Sequence, residues 1–411
     1  MRIKSTIQNL NFSEGLKVGI ISDSQLSPFA NDKVNTYQSN LFKSLLTLKQ
    51  YNCNVILFAG DICNMGSKYA YRRYKDCFKK AFSDKQPLVI SIMGNHDYYS
   101  RVFPRRLFEK ELGQNPYTHY VLNGFHFIGL SPDCMSMYKA YSKAGKWLDA
   151  QLKIACHDNP ERPVFVITHH PPQDTVYGSD DWGDKTLDRV FCKYKNVVDF
   201  AGHSHYSLLD ERSYYQGKYR VFNTQSVSYI ELEKGKKNGS VPPEAHVAPM
   251  GYVLEFSEDK IDVLRVNLLT GEEQLKDKRW SIPYDTSCKE QNQNEKKLPS
   301  MSDGEGKWYS EDDKVFVNFA KGKDKDFVHS YKLVFSDGDI QYYFSDFYKG
   351  IENMSNYQNL RIFDKEKGEY DIKVYAVNSY GKESLDYTLI KNVTIKQKDS
   401  YKRKLAPDIW Y

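Results

Sequence analysis

The sequence has no apolar run of the length that a membrane-spanning helix requires. Its first fifteen residues, MRIKSTIQNLNFSEG, start with basic residues but contain no apolar segment of the kind found in a secretory signal peptide. Neither sign of charge dominates, because 58 Lys and Arg face 53 Asp and Glu and give a formal net charge of +5. These absences predict a protein without a membrane span, and they make nucleic acid an unlikely partner because no continuous basic surface is indicated.

Cysteine pairs are missing as well. The number of cysteines is odd, no CxxC pair occurs, and the seven residues are scattered: Cys53, Cys63, Cys77, Cys134, Cys156, Cys192 and Cys288. This distribution favours free thiols in a reducing compartment over a disulfide framework. We therefore expect the cytoplasm as the compartment, and secretion only if a leader preceded this sequence.

A chain of 411 residues exceeds the size of one ordinary hydrophobic core, so two or three domains are expected. Residues 1–284 first alternate strand and helix patterns and then show strand patterns only. Residues 285–306 are polar and are interpreted as a linker. Residues 307–397 have the short alternating runs of a β-sandwich, and residues 398–411 form a tail.

The first region is of the α/β class. Apolar runs predict buried strands at 17–22, 54–59, 88–93, 125–130, 164–168 and 197–201, whereas helical patterns occupy 37–48, 69–82 and 143–155. Strands that alternate with helices predict a largely parallel sheet. In such sheets ligands bind at the carboxyl ends of the strands.

Five short motifs rich in metal-binding residue types follow five of these predicted strands. They are Asp23-Ser24-Gln25, Gly60-Asp61, Gly94-Asn95-His96-Asp97, His169-His170-Pro171 and Gly202-His203-Ser204-His205. Oxygen and nitrogen donors in this number suit two divalent ions that share a carboxylate better than one structural zinc. Two metal ions about 3.5–4 Å apart are the usual machinery for hydrolysing phosphate esters.

The five motifs, in this order, resemble those of the calcineurin-like metallophosphoesterase superfamily, whose pattern is D-x-H, G-D, G-N-H-[DE], H-x-P and G-H-x-H. Four motifs match fully, but Gln25 stands where the family usually has His. The resemblance covers roughly residues 15–230 and extends more weakly to about 284. It implies a four-layer αββα sandwich for residues 1–284.

The resemblance also implies a role for each motif residue. Asp61 is expected to bridge two metal ions; Asp23, Gln25 and His205 complete one site, and Asn95, His169 and His203 complete the other. His96 is expected over the scissile phosphate, with Asp97 orienting its ring, whereas His170 is expected to be a neighbour of the site. The metals are Mn, Fe or Zn, with Mn the first choice because the ligand set is rich in oxygen.

The resulting prediction is a metal-dependent phosphohydrolase that cleaves small phosphate mono- or diesters by in-line attack of a metal-bridging hydroxide. A nuclease on the same fold is one alternative, and its substrate binding should weaken steeply with salt. A degenerate phosphoesterase domain that serves as a binding protein is another alternative. Gln25 is the one sequence feature that favours it.

The C-terminal β-sandwich has its clearest marker in residues 370–381, YDIKVYAVNSYG. Alternation places Tyr370, Ile372, Val374 and Ala376 on one face. The segment resembles the penultimate strand of a fibronectin type III domain, which implies that the Tyr370 hydroxyl bonds back to the backbone. This region has no cluster of catalytic or metal-binding residue types, so a spacer or a module that contacts protein or glycan is expected.

Overall fold

The computed structural model describes residues 7–29, 32–99, 102–284, 297–302 and 304–402. By their internal contacts the residues fall into two units. The first consists of Met1–Ile230 and His246–Gln291, and the second of Glu231–Ala245 and Asn292–Tyr411. The predicted linker residues 285–296 and 303, and tail residues 403–411, lie outside the described part of the chain.

The first unit contains fourteen strands and six α-helices among its described residues. The strands are β1 (Gln8–Leu10), β2 (Lys17–Ile21), β3 (Val55–Phe58), β4 (Leu88–Ser91), β5 (Tyr117–Leu122), β6 (Phe125–Leu130), β7 (Val164–Thr168), β8 (Val197–Ala201), β9 (Tyr214–Gln216), β10 (Arg220–Asn223), β11 (Met250–Phe256), β12 (Lys260–Asn267), β13 (Glu273–Gln274) and β14 (Trp280–Pro283). The helices are α1 (Asp32–Gln50), α2 (Lys68–Ala81), α3 (Pro104–Leu112), α4 (Ala144–Asp158), α5 (Ser179–Trp182) and α6 (Lys185–Phe191).

These strands form two mixed sheets. One has the order β1-β5-β6-β7-β8-β10-β9, and the other the order β13-β12-β11-β2-β3-β4, with β14 also paired to β12. Strands β2, β3 and β4 run parallel to one another, and β6, β7, β8 and β10 do so in the other sheet. Within each set the carboxyl ends of the strands therefore meet at one edge.

The two sheets face each other and carry helices on their outer faces. Between the sheets, the rings of Phe200 (β8) and Phe222 (β10) lie 5.8 and 5.9 Å from the ring of Tyr252 (β11). Buried side chains of α1 and α2 pack with those of β3 in one core, and those of α4 and α6 pack with β7 in another. The predicted α/β fold is confirmed, and its layers are helix, sheet, sheet and helix.

Local sequence accounts for where several elements begin. The Ser67 hydroxyl accepts a hydrogen bond from the Ala70 N–H and caps α2. The Asp184 carboxylate accepts from the N–H groups of Thr186 and Leu187 and caps α6. The strands predicted at 125–130, 164–168 and 197–201 have the observed bounds, whereas α1 is longer than the predicted 37–48.

The described residues contain neither a membrane-spanning helix nor a disulfide bond. Within the described ranges, no helix combines the length and the apolarity that crossing a bilayer demands. The cysteines that lie in these ranges, all except Cys288, are free thiols, as predicted. Cys63 is buried next to the motif residue Asp61.

The second unit contains two antiparallel sheets. Its strands are β15 (Lys307–Glu311), β16 (Lys314–Ala320), β17 (Ser330–Phe335), β18 (Ile340–Phe344), β19 (Tyr357–Arg361), β20 (Gly368–Val377) and β21 (Thr388–Ile395). One sheet has the order β15-β16-β19 and the other β18-β17-β20-β21. Ile372, Val374 and Ala376 are buried in the core, and the Tyr370 hydroxyl donates to the carbonyl of Glu366 over 3.2 Å.

The segment Glu231–Ala245, which the sequence placed within residues 1–284, belongs by its contacts to the second unit. The Lys237 N–H donates to the carbonyl of Tyr342 over 2.7 Å, and the Phe344 N–H donates to the Asn238 side chain over 2.9 Å. The segment therefore satisfies backbone groups along β18, an edge strand that would otherwise expose them.

Candidate metal centre

The five sequence motifs converge at the carboxyl ends of β2, β3, β4, β7 and β8. Two groups of side chains there offer donor atoms that lie within 4.8 Å of one another. One group is Asp23, Asp61 and His205, and the other is His169, His170 and His203. Asp61 also connects the groups, because its Oδ1 lies 3.3 Å from Nε2 of His169.

The backbone of this site adopts an uncommon conformation. Five non-glycine motif residues have φ between 47° and 73°: Asp23, Gln25, Asp61, His203 and His205. The left-handed region costs a non-glycine residue roughly 1–2 kcal/mol. Backbone hydrogen bonds between the motif loops hold this geometry, since the Asp23 N–H donates to Gly60 and the Gln25 N–H donates to Asp61. Strain of this kind concentrates where function requires it.

Two motif glycines leave room for the site side chains. A Cβ at Gly94 would overlap the Asp61 carboxylate. A Cβ at Gly60, where φ is +90°, would lie 2.6 Å from Nδ1 of His169. Glycine at these two positions allows the loops after β3 and β4 to approach the site side chains this closely.

Two histidines direct ring nitrogen Nε2 towards oxygen atoms that cannot donate a hydrogen bond. Nδ1 of His169 lies 2.9 Å from the Ala59 carbonyl, which requires the proton to be on Nδ1. In the neutral ring, Nε2 then carries a lone pair that faces Oδ1 of Asn95 at 2.9 Å and Oδ1 of Asp61 at 3.3 Å. Lone pairs that face one another repel, so the arrangement requires a cation, either a proton or a metal ion.

The same geometry occurs in the other group. Nδ1 of His205 lies 3.0 Å from the carbonyl of Tyr229, while Nε2 lies 3.1 Å from Oδ1 of Asp23. A backbone carbonyl that orients a ring in this way is a common partner of metal-ligating histidines. Both groups thus fit the binding of a divalent ion by imidazole and carboxylate.

The charges of the site favour a cation at this position. Burial alone would raise the pKa of Asp61, but His169 and His96 outweigh burial and hold that pKa well below its usual range. Burial alone would lower the pKa of His169, but the Asp61 carboxylate raises it to about 9. Burial and neighbouring imidazoles lower the pKa of His170 and of His203 well below the usual value, so both rings are neutral.

Gln25, the residue that departs from the family pattern, lies within the first group. Its amide nitrogen donates to Oδ2 of Asp61 over 2.9 Å. Its amide oxygen is buried and has no hydrogen-bond partner among the residues described. A buried acceptor without a partner costs about 1–3 kcal/mol, and an oxygen-preferring divalent ion would supply the missing partner.

His96 lies at the open side of the site. Its backbone N–H donates to Oδ1 of Asp61 over 2.9 Å, and its ring Nδ1 lies 3.0 Å from the carbonyl of Asn64. Ring Nε2 lies 3.9 Å from Oδ2 of Asp61, and the side chain is 22% exposed. Nε2 is therefore the ring nitrogen that a substrate could reach.

The buried Asp97 carboxylate, which is expected to orient the His96 ring, accepts hydrogen bonds from the loops around the site. Asp97 accepts from the N–H groups of Ile62, Cys63 and Gly94 at 3.2, 3.0 and 2.9 Å. The Tyr71 hydroxyl also donates to it, over 3.2 Å. These donors tie together the loops after β3 and β4, so Asp97 holds the Asp61 loop in place, and the carbonyl of Asn64 orients His96.

Tyr141 is a site residue that no motif indicated. Its buried hydroxyl accepts the backbone N–H of His169 over 3.0 Å and that of His170 over 3.1 Å. It thereby fixes the loop that presents both imidazoles. Tyr141 lies 28 positions before His169 and outside any motif, so the sequence contains no signal that would have found it.

Aromatic and sulfur-containing side chains contact the partly buried imidazoles of His96 and His203. The sulfur of Met137 lies 3.4 Å from Nε2 of His203, and the ring of Trp182 meets His203 edge-on at 5.3 Å. The ring of Tyr99 lies 4.6 Å from that of His96. These side chains border the space next to the two groups of ligands.

Residues 16–207 match the family model described as calcineurin-like phosphoesterase. A probable cyclic nucleotide phosphodiesterase from Synechococcus sp. is 25% identical over 177 residues, which are 40% of this chain and 63% of that relative. The chain therefore spans less than two thirds of the length of the relative.

Among solved structures, a dimetal phosphatase from Danio rerio aligns with 66% of this chain and 99% of its own at 14% identity and a TM-score of 0.47. A purple acid phosphatase from yellow lupin aligns with 68% of this chain and 57% of its own at 12% identity and a TM-score of 0.46. Over residues 16–207 the family match confirms the resemblance seen in the motifs, and that family implies divalent metal binding.

Proposed function

We propose that this domain is a metal-dependent phosphohydrolase that cleaves phosphate mono- or diesters. The main support for the proposal is the pair of residue groups joined through Asp61, in which imidazole Nε2 atoms face oxygen atoms that cannot donate. Such a pair has no stable arrangement without a cation. The family match supports the reaction class, and the substrate within that class is part of the proposal.

The proposed ligands of the first ion are Asp23, Gln25, Asp61 and His205. Those of the second ion include Asp61, Asn95, His169 and His203. Two divalent ions bound here would activate water at neutral pH and neutralise charge on the phosphoryl group. Manganese remains the first choice for the first ion, because that group is rich in oxygen donors.

His96 is proposed to assist the leaving group. Because the carbonyl of Asn64 engages Nδ1, the exchangeable proton is on Nε2, at the open side of the site. A protonated Nε2 would donate to the ester oxygen as the bond to phosphorus breaks, and such general acid catalysis contributes about 10²–10⁴-fold.

For the second unit we propose a fibronectin type III-like sandwich that contacts protein or glycan. Two observations support the fold: the three- and four-stranded antiparallel sheets, and the hydrogen bond from Tyr370 to a backbone carbonyl four residues upstream.

The deciding experiment measures hydrolysis of bis(p-nitrophenyl) phosphate and p-nitrophenyl phosphate after chelation and then during titration with Mn²⁺. We expect turnover that depends on metal, falls more than about 100-fold in Asp61→Asn and falls about 100-fold or more in His96→Ala. Glu258→Gln, an exposed carboxylate on a turn between β11 and β12, is the matched control. If the protein binds metal but hydrolyses neither ester, the binding-protein alternative is favoured. If it cleaves DNA and this activity falls steeply as salt is added, the nuclease is favoured.

A further inference from the structure

His170 is a fully buried imidazole that the proposed ligand sets leave unused. Its exposed fraction is 0%, and neither ring nitrogen has a hydrogen-bond partner among the residues that the structure describes. A neutral imidazole is both a donor and an acceptor, and leaving such groups unpaired in a protein interior costs about 1–3 kcal/mol each. Buried polar groups without a partner are rare enough in folded proteins to require an explanation.

The position of His170 relative to two proposed ligands supplies that explanation. One nitrogen of each of His169, His170 and His203 lies within 4.8 Å of the others. The His170 ring lies 5.0 Å from the His169 ring and 4.4 Å from the His203 ring. Three imidazoles at this spacing form a group of nitrogen donors with the ligand number of a catalytic zinc site.

The backbone that presents His170 is held as firmly as that of His169. The single hydroxyl of Tyr141 accepts the N–H groups of both residues, so one buried side chain holds the backbone at both positions. The Tyr141 ring also meets the His170 ring edge-on at 5.8 Å.

We propose that His170 is a third imidazole ligand of the second metal ion and that it makes this site selective for a nitrogen-preferring ion such as zinc. This inference rests on the proposed two-metal function. The two halves of the centre would then differ in chemistry. Asp23, Gln25, Asp61 and His205 supply mainly oxygen, which suits Mn²⁺, whereas three imidazoles suit Zn²⁺ or Fe²⁺. The protein should therefore take up two different metals from a mixture.

The test uses the full chain, freed of metal by chelation, and reads metal binding without reference to activity. One equivalent of Zn²⁺ is added, zinc-edge X-ray absorption counts the imidazoles around the ion, and a competing chelator gives the affinity. We expect three imidazoles in the wild type and two in His170→Phe, which keeps a ring of similar volume. We also expect zinc affinity to fall about 10–100-fold while Mn²⁺ affinity of the first site changes less than about twofold.

Two further variants serve as controls for the loss of the His170 imidazole. His170→Cys retains a donor that binds zinc and should restore most of the zinc affinity. His157→Phe replaces an exposed histidine at the end of α4 and should change neither the imidazole count nor the affinity. Urea unfolding in the presence of chelator checks that each variant folds.

The possible results separate this inference from the proposed function. Two imidazoles around zinc in the wild type, or equal zinc affinity in His170→Phe, would overturn the role of His170 and leave the two-metal function standing. A wild-type chain that binds no divalent ion would overturn both. If both sites bound zinc and manganese with equal preference, the proposed zinc selectivity of the second site would be overturned.

Discussion

The amide nitrogen of Gln25 donates a hydrogen bond to Oδ2 of Asp61 over 2.9 Å, and the amide oxygen of Gln25 is buried without a described partner. Gln25 thus contacts the carboxylate proposed to bridge both ions, and it stands in the sequence where the family pattern usually has His. Its amide oxygen is a proposed ligand of the first ion. A neutral amide oxygen at residue 25 should bind the first ion more weakly than an imidazole would.

Gln25→His should tighten binding of the first ion by about tenfold, because imidazole binds divalent ions more strongly than an amide oxygen does. Gln25→Ala should weaken it, because the amide oxygen is lost. Competition of Mn²⁺ between the protein and a metal buffer measures both variants. Unchanged occupancy in both would show that residue 25 does not contact the ion.

Tyr141→Phe should loosen the loop that presents His169 and His170. The change leaves two buried N–H groups without an acceptor, at a cost of about 2 kcal/mol or more in the free energy of unfolding. Zinc affinity should fall about 10–100-fold, as it does when groups that orient ligands are removed. Urea unfolding in chelator and zinc competition measure the two effects.

Tyr331→Phe is the matched control for Tyr141→Phe. The Tyr331 hydroxyl is also buried and accepts one backbone N–H, from Gly322 over 3.1 Å, but it lies in the second unit. It should lower stability and leave zinc affinity unchanged. Equal zinc affinity in both variants would show that Tyr141 stabilises the fold without positioning the ligands.

Asp97→Asn should destabilise the first unit by roughly 2–3 kcal/mol and weaken metal binding, because an amide N–H₂ would face backbone N–H donors. Urea unfolding and metal competition measure both effects. Asp149→Asn, a partly exposed carboxylate on α4 that pairs with Lys153 and Lys193, should cost less than about 1 kcal/mol. A shift in the pH–rate profile without loss of stability would instead support the expected role of Asp97 in orienting His96.

A buried histidine outside the metal centre should make stability depend on pH. Nδ1 of His119 lies 2.9 Å from Oε1 of Gln151, and Nε2 lies 2.8 Å from Nδ1 of His126, whose Nε2 lies 2.9 Å from Asp158. Burial lowers the pKa of His119 from 6.5 to about 4. The unfolded chain therefore binds a proton between these values that the folded chain does not, so stability is complete above pH 6.5 and is lost as pH falls towards 4.

Between pH 7 and pH 5, His119 should contribute a loss of roughly 2 kcal/mol in the free energy of unfolding. His119→Gln cannot take up the proton, so the loss over this range should be smaller by that amount. Urea unfolding at both pH values, in chelator, compares the variant with the wild type. An identical pH dependence in the two proteins would show that folding does not lower the pKa of His119.

The sequence by itself predicted the phosphoesterase family and the residues that gather at the site. The motif residues directly follow apolar runs such as 164–168 and 197–201, and parallel strands align their carboxyl ends whatever the details of packing. For this reason Asp23, Asp61, His169, His203 and His205 come together as expected. Their ligand roles remain predictions that the metal titrations above test.

Only the tertiary structure decided which atom each of these residues presents and what holds it there. The carbonyls of Ala59 and Tyr229 direct Nε2 of His169 and of His205 into the site. The packing of the loops determines which backbone N–H groups Asp97 binds. The two hydrogen bonds accepted by Tyr141 also depend on the tertiary fold, as does the burial of His170 without a hydrogen-bond partner among the described residues. Periodicity in a sequence reports which face of an element is buried, whereas hydrogen-bond direction is set by neighbours that the fold brings from distant parts of the chain.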